Sequence, residues 1–174
     1  SFTIAGGSIS AGLARGRTNC NPVPALLTDF AVADGSLLSG DLNSLMAHDD
    51  DLLRLRSEIG FSQSEPNLTR VRVGALNVLS TATSINVGVT ARINHPNGTA
   101  TIRLRDWATG QFVPVSESLI TNKEETQTVE DLNAAQFLLS RDHRIEIEQQ
   151  IVVVATFSAL GFIAELEQIE VETH

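Results

Sequence analysis

Apolar and polar side chains alternate over residues 85–93, where the sequence reads I-N-V-G-V-T-A-R-I. Because successive side chains of a β-strand point to opposite faces, this pattern predicts a strand with one dry face. The same alternation recurs over residues 71–75, 102–104 and 145–149. We therefore predict an all-β fold, an antiparallel β-sandwich of the jelly-roll or immunoglobulin-like kind.

The core of this sandwich is expected to be aliphatic. The chain has 174 residues, enough for one domain that buries its own core. It contains no Tyr and one Trp, so Val, Ile, Leu and Ala must fill the interior. Cys20 is the only cysteine, and no disulfide can close within the chain.

The first 25 residues differ in composition from the rest. Phe2 and Ile4 share one phase, a glycine pair follows, and Ile9 resumes the pattern, which predicts a strand. Residues 12–24 are rich in Gly, Arg, Asn and Pro and predict a linker. We therefore divide the chain into an N-terminal strand and linker, residues 1–25, and a single sandwich domain, residues 26–174.

Turn signals and periodicity predict the elements within the domain. Residues 42–47 have helical spacing and predict a short helical turn. Residues 95–98 predict a hairpin loop in which Gly98 takes a positive φ, and residues 123–131 predict a surface connection. A bulge is expected at residues 167–168, where the apolar phase switches. Strands are predicted at 69–79, 84–94, 100–107, 111–116, 135–140, 143–157 and 161–172.

The charge of the chain excludes two classes of partner. The formal net charge is −9, and Lys123 is the only lysine. A phosphate backbone or an anionic lipid surface would be repelled, so we expect no nucleic-acid binding. The longest apolar run is far shorter than the roughly 20 residues of a membrane-spanning helix, which predicts a soluble domain without membrane insertion.

Asp49, Asp50 and Asp51 form the densest acidic cluster, next to His48. Calcium prefers six to eight oxygen ligands, and loop aspartates supply them in many proteins, so these three are the candidate calcium ligands. Consecutive strand residues point to opposite faces, however, and no calcium-loop signature is present. The alternative is a solvated loop that caps the end of a strand.

Trp107 and two glutamates are the remaining candidates for a site. Trp107 is either an aromatic platform for a sugar ring or a core and sheet-edge residue. Glu146 and Glu148 share a strand face, as the paired acids of a glycosidase would, but so do most acids on a water-facing sheet. Nucleophile elbows, phosphate loops and Cys-His pairs are missing from the sequence, and we expect no enzymatic activity.

Two segments resemble a recurring domain of secreted proteins from environmental bacteria. In one, residues 35–42 and 49–55, two glycines around small residues precede a unit of leucine, acidic pair and strand. In the other, residues 102–113 are similar to that family's hairpin of strand, Trp, turn and strand. The family often has an aromatic at the position of residues 52–53, a departure here. The resemblance spans about residues 30–172 and implies an extracellular β-sandwich of unassigned role.

Three functions remain open at this point. The first is an extracellular structural protein, a self-assembling filament or surface-layer subunit, in which Phe2, Ile4 and Ile9 add as a strand to the sheet of a second copy. Ser1 is either the N-terminus left after removal of a secretory signal or an engineered N-terminus. The second is a module that binds carbohydrate or another surface polymer, through Trp107 or through loop acids with a bound calcium. The third is a hydrolase or lyase that uses paired acids.

Overall fold

The computed structural model describes residues 21–47, 51–59, 66–79, 81–154 and 161–174. In these residues the chain forms two antiparallel sheets that pack face to face, which confirms the predicted β-sandwich. The candidate strand residues Phe2, Ile4 and Ile9 and the candidate ligands Asp49 and Asp50 lie outside the described residues.

Each sheet is built from strands that are far apart in the sequence. Sheet 1 contains β1 (Val23–Pro24), β3 (Ser36–Ser39), β4 (Leu53–Arg56), β6 (Ser84–Ile93), β9 (Glu125–Asn133) and β11 (Ile163–Thr173). Sheet 2 contains β2 (Leu26–Asp34), β5 (Asn67–Leu76), β7 (Gly98–Asp106), β8 (Gln111–Ile120) and β10 (Arg144–Val153). Sheet 1 has the order β3-β4-β11-β6-β9, with β1 beside β11, and sheet 2 has the order β2-β5-β10-β7-β8.

The core lies between the inner faces of the two sheets. Along β6 every second residue, from Ile85 to Ile93, is buried, as the alternation predicts. Facing strands contribute Val71 and Val73 from β5 and Ile145 and Ile147 from β10, all buried. The short 3-10 turn at Asn43–Leu45 confirms the predicted helical turn and buries Leu45 against the same core.

Strand β11 has a bulge where it pairs with β6, and it also pairs with the short strand β1. The register of β11 against β6 shifts between Leu166 and Gln168, which confirms the predicted bulge. At its far end, Val23 of β1 pairs with Thr173, so the predicted linker ends as part of sheet 1. Residues 1–20 are outside the described residues, and the division at residue 25 stays a prediction.

The predicted surface connection at 123–131 is wrong, because this segment is strand β9. Its side chains are mostly polar and exposed, so no apolar alternation marks it; β9 is an edge strand that is ordered by pairing with β6. The strand predicted at 135–140 is also wrong. Its first residues belong to the helical turn α1 (Ala134–Phe137), where the side chain of Asn133 accepts a hydrogen bond from the Ala135 N–H.

The predicted hairpin at residues 95–98 is wrong as well, because β6 and β7 belong to different sheets. Gly98 does not have a positive φ and is buried at the start of β7. A Cβ at this position would lie 2.8 Å from Ile93 Cδ1 and 3.2 Å from Ile120 Cγ2. Glycine therefore serves close packing here rather than turn geometry. Among the described residues, no helix has the length and apolar character needed to span a membrane.

Candidate ligand-binding face on sheet 2

The outer face of sheet 2 carries a dense layer of arginines, which we name the arginine face. The alternation that sends aliphatic side chains of β5, β7 and β10 inward sends charged ones outward. Strand pairing then sets these charges side by side, Arg72 beside Glu148 and Glu148 beside Arg103. The arginines of this face are Arg70, Arg72, Arg103, Arg105 and Arg144.

Glu148 is the centre of the layer, and its side chain is only 1% exposed. Its carboxylate accepts a hydrogen bond from Arg72 Nε at 2.8 Å and another from Arg103 Nη1 at 3.1 Å. Arg70 Nε forms a longer ion pair with it, at 3.6 Å. A buried carboxylate is tolerated only with such partners, because an unpaired buried charge costs several kcal/mol. Glu148 therefore holds the arginines of two strands in fixed positions.

A groove of about 170 Å³ lies beside this layer, over β5. Arg144 Nη1 and Nη2 each donate to Asp29, at 2.9 Å, and Arg144 Nε donates to Glu146, also at 2.9 Å. Gly74 makes this possible, because a Cβ there would lie 2.6 Å from Arg144 Nη2. The groove is lined by Asp29, Ala31, Arg72, Val73, Gly74, Arg144 and Glu146.

The carboxylates of this groove are held in their ionised form. The hydrogen bonds from Arg144 lower the pKa of Asp29 against the opposing effect of burial, and the pairing with Asp29 raises the pKa of Arg144. Burial acts to raise the pKa of Glu146, but hydrogen bonds from Arg105 and Arg144 outweigh it, and the pKa is lowered. A glycosidase acid needs a raised pKa, so Glu146 is unsuited to act as one.

Two aromatic rings near the face, those of Trp107 and Phe112, each stack against an arginine guanidinium. The Arg105 guanidinium lies over the ring of Trp107, 4.8 Å from its centroid, and that of Arg72 lies over Phe112 at 4.9 Å. Arg72 and Phe112 are on β5 and β8, with two strands between them. The Arg72 side chain therefore lies along the sheet, and it remains half-exposed.

Trp107 is half-buried and fixed at the end of β7. Its indole N–H donates to the Phe137 carbonyl at 2.9 Å, and its backbone N–H donates to the Gln136 carbonyl. Asp106 supports the same corner, since its carboxylate accepts from the Gln136 side chain and from the Ala108 N–H. Trp107 thus lies just after the end of β7, beside the arginine face, with a defined orientation.

Sequence reasoning missed the arginine face, although a signal was present. Arginines stand two residues apart at 70 and 72 and again at 103 and 105, and glutamates do so at 146 and 148. Such spacing places each pair on one strand face. Only knowledge that β10 lies between β5 and β7 reveals that these pairs neutralise one another.

The predicted calcium site is not brought together within the described residues. Asp51 is exposed just before β4. In the part of the chain that the structure describes, no three His, Cys, Asp or Glu side chains lie close enough to hold a metal ion. Since Asp49 and Asp50 lie outside that part, calcium binding stays a prediction.

No family model matches this chain. No curated protein matches it either. Among solved structures, it is similar to TmCBM61 in complex with β-1,4-galactotriose, with a TM-score of 0.52 and 9% identity over 86% of this chain and 91% of that one. The chain shares the β-sandwich fold of that carbohydrate-binding module. A CBM4 structure aligns with a TM-score of 0.49 and 15% identity over 83% of this chain and 94% of that one. The family 32 module of C. perfringens NanJ, in complex with galactose, aligns with a TM-score of 0.46 and 15% identity over 86% of this chain and 98% of that one.

Proposed function

We propose that this chain is a non-catalytic module that binds a carbohydrate, and that the ligand lies in the groove of the arginine face. The observation that carries the proposal is the set of planar polar groups from Asp29, Arg144, Glu146 and Arg72 around a 170 Å³ groove. Guanidinium and carboxylate groups bind adjacent hydroxyls through paired hydrogen bonds. Each of these groups is already held by its neighbours, so little side-chain entropy is lost on binding.

The charge of the face favours a ligand with hydroxyl groups over a strongly charged one. The five arginines of the face form ion pairs with four carboxylates, those of Asp29, Asp34, Glu146 and Glu148. The face is therefore nearly neutral on a chain whose formal charge is −9. A polyanion would meet guanidinium groups that are already paired, together with the repulsion of the whole molecule. A neutral polysaccharide is not repelled by the net charge and needs no unpaired counter-charge.

Two further observations support the proposal. The similar structure TmCBM61 is a carbohydrate-binding module in complex with β-1,4-galactotriose, and it has the same kind of fold. The lowered pKa of Glu146 argues against acid catalysis on this face. An extracellular or cell-surface location fits this function, since neutral structural polysaccharides are found outside the cell.

The hypothesis of a self-assembling filament has no support in the described part of the molecule. It depends on Phe2, Ile4 and Ile9, which lie outside that part, so strand exchange stays a prediction. Carbohydrate binding, which was the alternative interpretation of the sequence, is the better supported of the two.

The proposal is tested by filling the groove without touching its ion pairs. Ala31 is exposed on β2 and lines the groove, whereas Ala33 is exposed on the same strand and does not. We expect the wild type to be retarded in native gels that contain one of β-1,4-galactan, xylan, mannan or a soluble β-1,4-glucan. Ala31→Phe is expected to abolish the retardation and Ala33→Phe to leave it unchanged. A wild type that none of these polymers retards, or two variants with equal retardation, contradicts the proposal.

A further inference from the structure

A second cavity, of about 90 Å³, lies between the two sheets beside the edge strands β8 and β9, and several polar side chains interrupt its mainly apolar lining. It is separate from the groove of the arginine face, which is on the outer surface of sheet 2. Its lining includes Gln149 of β10, Gln127 of β9 and Ser118 of β8. The rest of the interior between the sheets is mainly aliphatic, so these side chains need an explanation.

Gln149 interrupts the apolar series on the inner face of β10. The neighbours two residues away, Ile147 and Ile151, are buried in the core, and Gln149 is itself only 3% exposed. Its Oε1 atom is buried and has no hydrogen-bond partner among the residues that the structure describes. A buried amide oxygen without a partner costs free energy, and Leu or Ile would fit the pattern of this strand.

Gln127 contributes a second oxygen of the same kind. Its Nε2 donates to Ser116 Oγ at 2.9 Å, which orients the amide. Its Oε1 is buried and, within the described chain, also lacks a partner. Both glutamines line the cavity, so two hydrogen-bond acceptors without donors in the described chain lie at the same cavity.

Small residues on two neighbouring strands provide the space. Ala91 of β6 and Ala100 of β7 line the cavity, at core positions where Val, Ile or Leu is common in this chain. The volume equals that of roughly three water molecules. This is room for a group of a few atoms and not for a large ligand.

We propose that this cavity binds a small neutral diol, and that in the intact ligand the diol is an exocyclic or terminal hydroxyl pair of a saccharide. The two hydroxyls donate to Gln149 Oε1 and Gln127 Oε1. Glu125, the charged residue of the lining, is exposed, and its carboxylate accepts from Thr121 Oγ1 at 3.0 Å. A cation would therefore lose its hydration without gaining a buried counter-charge, which favours a neutral group. The saccharide part of this inference rests on the proposed function.

The test uses the side-chain amide signals of Gln127 and Gln149 in ¹H–¹⁵N NMR spectra of the whole chain. The probes are 1,2-ethanediol and 1-propanol, which have equal numbers of heavy atoms but two hydroxyls and one. We expect ethanediol to shift both signals saturably and propanol to have little effect. In Gln149→Leu the shift at Gln127 is expected to disappear. In the matched control Gln150→Leu, whose side chain is on the outer face and accepts from Arg103, it is expected to persist.

Equal, non-saturating shifts with both probes would mean that the cavity holds only water, and they would overturn the proposal. Persistence of the diol response in Gln149→Leu would overturn it too. Ala31→Phe, which blocks the groove, is expected to keep the diol response, so failure of the proposed function does not hide this result. An oligosaccharide that is bound by the wild type and leaves both amide signals unmoved would overturn the saccharide assignment alone.

Discussion

Arg144 of β10 makes two hydrogen bonds of 2.9 Å with Asp29 of β2, although β5 lies between these strands. The guanidinium crosses β5 above Gly74, the residue without a side chain. One ion pair thus links β2 to β10 across β5 and lines the groove. The proposed ligand site therefore depends on a glycine that contributes to it through the absence of a side chain.

Gly74→Ala is expected to disrupt this arrangement. The new Cβ would lie 2.6 Å from both Arg144 Nη2 and Asp29 Oδ2, so the ion pair must shift. Because flexible side-chain ends can give way, we expect a loss of about 1 kcal/mol in urea unfolding, together with loss of polysaccharide retardation. Gly88→Ala is the control, since the nearest atom to its Cβ would be 3.7 Å away. Equal stability and retardation of the two variants would contradict the role of Gly74.

The carboxylates of the groove predict how stability depends on pH. The folded-state pKa values of Asp29 and Glu146 lie below their ordinary values of 3.8 and 4.5. Their contribution is therefore fully present above pH 4.5 and is lost as the pH falls through the folded-state values. We expect the midpoint temperature of unfolding to decrease as the pH is lowered below 4.5. This decrease is expected to be less steep in Asp29→Asn. Parallel curves for the two proteins would show that Asp29 is not stabilised by Arg144.

Glu148→Gln removes the charge that three arginines share. Loss of one partner from a buried ion pair costs about 3–5 kcal/mol, but these arginines are partly exposed, so we expect about 2–3 kcal/mol in urea unfolding. Glu117→Gln, at an exposed position on β8, is the control and is expected to change stability by less than about 0.5 kcal/mol. A small effect at Glu148 would mean that the layer is not held by this carboxylate.

Gln149→Leu is expected to raise stability while it removes the proposed diol site. Replacement of an unpartnered buried amide by an apolar side chain of similar size relieves about 1 kcal/mol. Gln150→Leu offers no such gain, because Gln150 already accepts a hydrogen bond from Arg103. Denaturant unfolding of both variants measures the difference. A destabilised Gln149→Leu would indicate that the amide is already satisfied in the free protein.

The sequence alone was sufficient to predict the sandwich because its central strands have one dry face. In β6 each inward residue is aliphatic and buried, and local pattern and tertiary position agree. The edge strand β9 has no such pattern, since partner pairing and not burial orders it. Gly98 was misinterpreted for a related reason, because its role depends on Ile93 and Ile120, which approach it only in the folded molecule.

The candidate site was less predictable than the fold. The sequence left Trp107 open as a sugar platform or a core or sheet-edge residue; in the structure it lies beside the face, and its indole N–H donates to the Phe137 carbonyl. The arginine face needs the strand order β5-β10-β7, which no local pattern contains. Without that order Glu146 and Glu148 look like a free acidic pair, whereas in the structure arginines hold both.

The central claim is that the arginine face binds a carbohydrate, and the Nε–Hε signals of its arginines in ¹H–¹⁵N NMR spectra test this most directly. On titration with an oligosaccharide of the polymer that retards the wild type, the signals of Arg72, Arg105 and Arg144 are predicted to shift together. Those of Arg54 and Arg92, which pair with Glu165 on sheet 1, are predicted to stay in place. Binding that moves the signals of sheet 1 and leaves those of the arginine face unchanged would contradict the account.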